Sequence, residues 1–364
     1  MDYNGDMVRR IPWLLLSSTL ALILTGSVLL LPHLAYGQPY PDRTGANGGA
    51  ANKIEAALQR EIEASQPEAP LRYIIFFTGK ANLAPKSLPI PETALRSAIV
   101  SRLQDTADRS QAAVLTELTK LHASGQVAEF RQLWIVNGIA VTGTAASVGK
   151  LAGHPDVAHI ALDEGHRYFD PPYTLDSQPN LHQAAGPWGV ERIQADKVWE
   201  LLGISGEGIT VALMDSGVSL QHPDLFSNYR GNMGGGKLEH EKHWFHTINL
   251  SSTEPYDELG HGTHVAGTAV GQNGIGVAPG AKWIAIAIAD KFGIIYDSSV
   301  HAGFQWLLAP GGDSEAAPDV VNNSWGGAGT RAAFVEDINI LQSAGIITLF
   351  AAGNSGPGRG SVLA

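Results

Sequence analysis

Apolar residues recur along this chain at two periods, and where the period changes, the predicted elements change with it. Residues 72–77 are a short apolar run that predicts a strand. Residues 91–124 predict a long helix, with Leu95, Ile99, Leu103, Val114, Leu118 and Leu121 on one face and Gly125 at its end. Residues 127–134 and 138–143 predict two strands joined at Asn137-Gly138, residues 145–152 a short helix, and residues 157–162 a last strand. The order β-α-β-β-α-β is ferredoxin-like, an order that many unrelated proteins share and that names no function.

From residue 187 onward the pattern is different. Residues 209–214, 283–289, 320–323 and 346–352 are almost continuously apolar, as strands covered on both faces are. Helical spacing lies between them, at residues 261–270, 298–308 and 332–344. This alternation predicts an α/β unit, a mostly parallel sheet with helices on both faces. No internal repeat or heptad pattern is present.

Chemistry-bearing residues sit at the ends of these predicted elements. Gly260-His261-Gly262-Thr263-His264 opens a small-residue helix, where glycines allow another segment to approach the His261 ring. The strand ending in Met214 delivers Asp215, and the strand ending in Ala352 runs into Gly353-Asn354-Ser355-Gly356. Open α/β sheets carry their sites at such carboxyl ends.

The segments LMDSGV, HGTHVAGT, NNSWGG and FAAGN resemble, in order, the motifs of the subtilisin-like serine proteases (subtilases). GVAPGAKWIA and APDVVNNSWGG resemble the bacillopeptidase F-like branch of that family. The resemblance implies an Asp/His/Ser triad, with Asp215 as carboxylate and His261 as base, and Asn354 as the oxyanion donor. It implies that Ser324-Trp325-Gly326 pairs with an extended polypeptide substrate, Trp325 walling a side-chain pocket. It also makes residues 71–162 an inhibitory propeptide acting in cis, followed by a linker at 163–186 where maturation cuts fall. No cofactor for catalysis is implied. Structural calcium is, through Asp224, although the loop at 271–276 is shorter than the calcium loop of the subtilisins proper.

One motif of the family is missing. Gly-Thr-Ser, which would hold the nucleophile, occurs nowhere in the 364 residues, and beyond Asn354 the only serines are Ser355 and Ser361. Ser216, beside Asp215, is directed away from this role. The expectation is therefore the front part of a protease precursor, its catalytic sheet incomplete, and a chain without peptidase activity of its own. The alternative is a non-catalytic protein that keeps a peptide-binding groove. A third reading, a His-rich metal hydrolase, rests on His240, His243 and His246 at three-residue spacing together with His261 and His264. No His-Glu-x-x-His accompanies them.

Composition narrows the partners and the compartment. The net charge of −11 argues against nucleic acid, and residues 187–364 carry most of the acidity, with 9 Lys+Arg against 18 Asp+Glu. The absence of cysteine excludes a thiol nucleophile and a disulfide framework. Arg9 and Arg10 precede an apolar run at 11–31, with Ala35 and Gly37 before Gln38, which predicts a secretory leader over residues 1–37. The run is nearly long enough to span a bilayer, so a membrane anchor through the uncleaved leader is the other outcome. Residues 38–70, rich in Gly, Pro, Ala and Asn, predict a linker.

Overall fold

The computed structural model describes residues 53–83, 91–168, 188–326 and 332–362; the leader lies outside them. Among the described residues no helix is long and apolar enough to cross a membrane.

Residues 53–83 and 91–162 form an antiparallel sheet backed by helices. Helix α1 is Ala56–Ala64, followed by β1 (Leu71–Phe77), α2 (Glu92–Ala123), β2 (Val127–Leu133), β3 (Gly138–Gly143), α3 (Ala145–Ala152) and β4 (Val157–Leu162). The sheet order β2-β3-β1-β4 is the ferredoxin-like order expected. The run Tyr73-Ile74-Ile75-Phe76-Phe77 is apolar throughout because both faces of the sheet are covered. Tyr73, Ile75 and Phe77 join Val114, Leu118, Leu121, Val148 and Leu151 in one core. Ile74 joins Leu133, Ala140 and Ala302 in another, with Phe76 packed against it. Part of the expected linker belongs to the first core: Leu58 on α1 is fully buried there, and Ile54 bridges to Ile160.

The second half is a five-stranded parallel sheet. After α4 (Trp188–Arg192) and α5 (Ala195–Leu202) come β6 (Thr210–Asp215), α6 (Pro223–Phe226), β7 (Trp244–His246), α7 (His261–Val270), β8 (Lys282–Ala287), α8 (Asp297–Leu308), β10 (Val320–Asn323), α9 (Val335–Ser343) and β11 (Ile347–Phe350). Their order is β11-β10-β6-β8-β7, each neighbouring pair parallel. Alternate side chains of β6 serve opposite faces. Ala212 and Met214 pack in a core with Phe304 and Leu308 of α8 and Leu341 of α9. Leu213 packs in a core with Ala266 and Val270 of α7 and with Trp283. Two short strands, β5 (Gly165–Arg167) and β9 (Ile294–Tyr296), pair antiparallel outside this sheet.

One strand departs from the buried reading. β11 is an edge strand, and although Ile346 before it is buried, Ile347, Leu349 and Phe350 are 58%, 52% and 44% exposed. Its apolar pattern is that of a central strand, but no strand lies on its outer side among the described residues.

Candidate active site

Parallel strands bring their carboxyl ends to one edge. β6 ends there in Asp215, β10 leads into Ser324-Trp325-Gly326, and β11 leads toward Asn354. Helix α7 starts against the end of β6. Gly260 enters it with a φ of 78°, a left-handed conformation that glycine adopts without strain. Gly262 is required by close approach: a Cβ there would collide with the Gly217 carbonyl and lie 3.1 Å from the Asp215 Cβ. With no side chain at 262, His261 comes down onto Asp215.

The His261 Nδ1–H donates to Asp215 Oδ1 at 2.7 Å. Asp215 is fully buried and its Oδ1 also accepts the Ser216 N–H at 2.7 Å. A carboxylate only accepts, so Nδ1 carries the proton and Nε2 is the basic atom of the neutral ring. The hydrogen bond to Asp215 raises the His261 pKa above its ordinary value, against the opposing effect of its partial burial. Burial pushes the Asp215 carboxyl up, and the His261 bond works against it. The pair can therefore hold an imidazole in one tautomer and stabilise it once protonated.

A second carboxylate, not singled out by sequence reading, ties these pieces together. Asp257 Oδ1 accepts from Ser216 Oγ at 2.9 Å and from the Leu259 and Gly260 N–H groups. Its Oδ2 accepts from the Thr263 N–H at 2.8 Å and Thr263 Oγ1 at 2.6 Å. Asp257 thus caps the start of α7 and holds it to the residue after Asp215. The signal was there to read, an acidic residue four positions before a helix-opening histidine. The Ser216 hydroxyl is committed to this network, since it also accepts the Gly262 N–H at 2.9 Å.

The other expected residues are placed less simply. Trp325 is only 7% exposed, and its Nε1–H donates to the Met214 carbonyl at 2.9 Å among Phe304, Phe334 and Phe350. It is a core aromatic because the indole N–H finds a buried partner on β6, and it meets Tyr168 at a ring distance of 6.1 Å. Ser324 Oγ accepts the Asn322 amide, and Gly326 lies three residues beyond the end of β10. Asn354 lies on an exposed turn four residues beyond β11.

The strand pairing that an extended chain makes is found at β9 instead. Gly165, His166 and Arg167 pair with Tyr296, Ile295 and Ile294. Just before them Asp163, expected to begin an exposed linker, is buried at the start of α8. It accepts the Ser298 N–H at 2.8 Å and Ser298 Oγ at 2.7 Å, and it binds the Arg72 guanidinium at 2.9 Å. Arg72 in turn lies 4.0 Å over the Tyr296 ring. Residues 163–168 are thus held by the parallel half.

The histidines expected as alternative metal ligands do not converge. His240 Nδ1 bonds the Tyr229 hydroxyl, His243 Nδ1 accepts from Arg230, and His246 Nδ1 accepts the Ile248 and Asn249 N–H groups. His264 is exposed on α7. Among the described residues no group of three or more His, Cys, Asp or Glu is placed to hold a metal. The Asp224 carboxylate accepts the Asn273 amide at 2.6 Å.

The sequence profile of the subtilase family (peptidase S8) matches residues 206–363. The chain is 37% identical over 334 residues to Bacillopeptidase F of Bacillus subtilis (strain 168), covering 84% of this chain and 23% of that one. It is 31% identical over 232 residues to Subtilisin E of the same organism, covering 62% of this chain and 51% of that one. The chain therefore spans about a quarter and about half of these relatives' lengths. Among solved structures it is similar to fervidolysin from Fervidobacterium pennivorans, described as a keratinolytic enzyme related to subtilisin. That likeness has a TM-score of 0.47 and 20% identity, over 79% of this chain and 40% of that one. The segment matched by the family profile holds Asp215, His261, Ser324 to Gly326 and Asn354 in one frame, and residues 206–363 belong to the subtilase family.

Proposed function

We propose that this chain is the leader, propeptide and front catalytic part of a secreted serine endopeptidase that hydrolyses polypeptides. The observation that carries the proposal is the 2.7 Å bond from His261 Nδ1 to the buried Asp215 at the carboxyl edge of a parallel sheet. In this reading the His261 Nε2 takes the proton of a serine hydroxyl as its oxygen attacks the peptide carbonyl. Asp215 keeps the ring in the required tautomer and stabilises the imidazolium. His261 then returns the proton to the leaving amine, and water, activated the same way, releases the acyl group. Asn354 donates to the oxyanion formed on attack. Substrate lies along β9 and Ser324 to Gly326 as an added strand, as residues 165–167 do along β9.

The nucleophile in this reading comes from sequence beyond the 364 residues, which contain no Gly-Thr-Ser. Residues 71–162 act as the inhibitor in cis, which the seating of Asp163 to Tyr168 on the parallel half supports. Secretion rests on the Arg9-Arg10 leader, with anchoring through residues 11–31 if it stays uncut. Calcium has no part in the reaction.

The test has two arms. The 364-residue chain should neither turn over a fluorogenic peptide nor label with a fluorophosphonate. A product extended by the coding sequence after residue 364, if it carries Gly-Thr-Ser, should do both and lose turnover with His261→Ala. Labelling of Ser355 or Ser361 with turnover in the shorter chain would overturn the assignment. An extended product without turnover would favour the peptide-binding alternative.

A further inference from the structure

Two Asn-Gly pairs lie among the described residues, and the fold treats them differently. Both asparagines have left-handed backbones, with φ of 47° at Asn137 and 56° at Asn273. Asn137 is only 7% exposed, and its side-chain amide is held at both ends. Its Oδ1 accepts from Ser110 Oγ and Gln111 Nε2, each at 2.9 Å, and its Nδ2 donates to the Gly79 carbonyl at 2.8 Å. Gly138 is paired within the sheet, and a Cβ there would lie 3.1 Å from the Ile75 carbonyl.

Asn273 is exposed, in the loop that follows α7. With Gly274 at a φ of 78° it makes a two-residue turn with the φ signs of type I′, closed by the Ile275 N–H donating to the Gln272 carbonyl at 3.2 Å. Its Nδ2 donates to Asp224 Oδ1 at 2.6 Å, and the neighbouring Gln272 N–H donates to the Asp224 carbonyl at 2.8 Å. Asp224 therefore ties the end of α7 to α6. Around Gly274 there is space: a Cβ there would meet nothing within 4 Å, and among the described residues its N–H makes no backbone hydrogen bond. A backbone nitrogen with no side chain beside it can swing toward the carboxamide of the preceding asparagine.

We propose that Asn273 is a site of spontaneous deamidation by the Gly274 nitrogen, and that the modification cuts the tie between α6 and the end of α7. The Gly274 nitrogen attacks Asn273 Cγ and forms a new C–N bond, its proton passes to the departing nitrogen, and the Cγ–Nδ2 bond breaks with release of ammonia. Water then adds to one of the two carbonyls of the resulting succinimide and breaks its C–N bond, leaving aspartate or isoaspartate at 273. The attack needs rotation about Asn273, which opens only the exposed turn and the bond to Asp224. Aspartate at 273 sets two acceptor-only groups of like charge against each other. Isoaspartate adds a methylene to the main chain and so breaks the two-residue turn. Either product loosens residues 271–276. The Asp257 cap at the other end of α7 shares none of these bonds, so the His261–Asp215 bond is kept.

The full chain is incubated at mildly alkaline pH, and peptide mapping by mass spectrometry follows the replacement of NH2 by OH at each asparagine. Fragmentation distinguishes aspartate from isoaspartate. Asn273 should convert to both products, with Asn137 about a hundredfold slower or more, because its amide must first leave buried hydrogen bonds. Asp224→Ala should speed conversion at 273 about tenfold, through loss of a hydrogen bond to a charged group. Asn273→Asp, which reproduces one product, should raise amide exchange at Gln272 about tenfold, as the loss of a comparable bond. It should leave exchange unchanged at His264, whose N–H bonds the Gly260 carbonyl at the other end of α7. Circular dichroism of each variant verifies folding. An Asn273 that stays intact while a free peptide of residues 268–278 converts fully overturns the proposal, as does an Asn137 that converts at the same rate. So does slower conversion in Asp224→Ala, or an Asn273→Asp chain whose Gln272 amide exchanges as in the original.

Discussion

Two glycines on α7, Gly262 and Gly267, should respond to alanine in opposite directions. At Gly267 an added Cβ meets nothing within 4 Å, so Gly267→Ala gains only the reduced flexibility of the unfolded chain, about 0.5–1 kcal/mol. At Gly262 the Cβ runs into the Gly217 backbone carbonyl and lies 3.1 Å from both the Asp215 Cβ and Oδ1. Neither a carbonyl nor a buried aspartate on a central strand can yield, so the helix start must move. Overpacking of this kind costs about 1–3 kcal/mol, and the propensity gain is small in a first helical turn. For the parallel half that is a fall in melting temperature of roughly 3–10 °C, against a rise for Gly267→Ala. The displacement should also lengthen the 2.7 Å bond from His261 to Asp215, so the His261 pKa, raised chiefly by that bond, should fall. Thermal melts by tryptophan fluorescence and a histidine NMR titration read both effects. If Gly262→Ala melts at or above the unsubstituted chain with the His261 titration unchanged, the close approach does not position His261.

Asp215→Asn should lower the His261 pKa, because its main raising partner is removed while partial burial remains; NMR titration reads the shift. In the unsubstituted chain the ion pair adds stability that is full below pH 6.5 and fades as pH rises through the higher folded value. His243 and His246 have the opposite sign. Burial holds each down to about 4, aided at His243 by the Arg230 charge, so stability should be full above pH 6.5 and fall progressively toward pH 4. Urea midpoints across that range check it, and His246→Asn, which keeps an acceptor for the Ile248 and Asn249 amides, should flatten part of the decline. The exposed apolar edge at Ile347, Leu349 and Phe350 should drive self-association at micromolar concentration. Light scattering should show less of it in Leu349→Lys, and equal association would place the contact elsewhere.

What could be read along the chain and what could not divide on one physical line, local against tertiary. Helices α3 and α7 match the sequence reading at both ends, because Thr144 and Gly153, and Gly260 and Gly271, interrupt the helical pattern within a residue of the boundary. β6 and β10 were legible because strands covered on both faces need apolar residues at successive positions. β11 has the same composition but stands at an edge, and which neighbours a strand has is not written in its own residues. Asp215 and His261 were legible as a pair through the order of the motifs, although nothing local says that 46 residues fold back to leave 2.7 Å between them.

The residues that escaped the reading are those whose partners are far away in the chain. Asp163 looks like the first polar residue of a linker until Ser298, 135 residues later, supplies the helix start it caps. Trp325, followed by two glycines, reads as the wall of an open groove, but the Met214 carbonyl, 111 residues earlier, anchors its indole in the core. The apolar face of α2 was seen whole, and helical periodicity could go no further: Leu103 and Leu121 are the same residue type and lie at the same angle round the helix. Only the tertiary fold assigns one to the parallel half and the other to the antiparallel sheet. Arg96 marks the difference. An arginine one position from Leu95 in a helical pattern ordinarily belongs to a solvated face, and its burial against the end of α9 sets the N-terminal half apart from the rest of the helix.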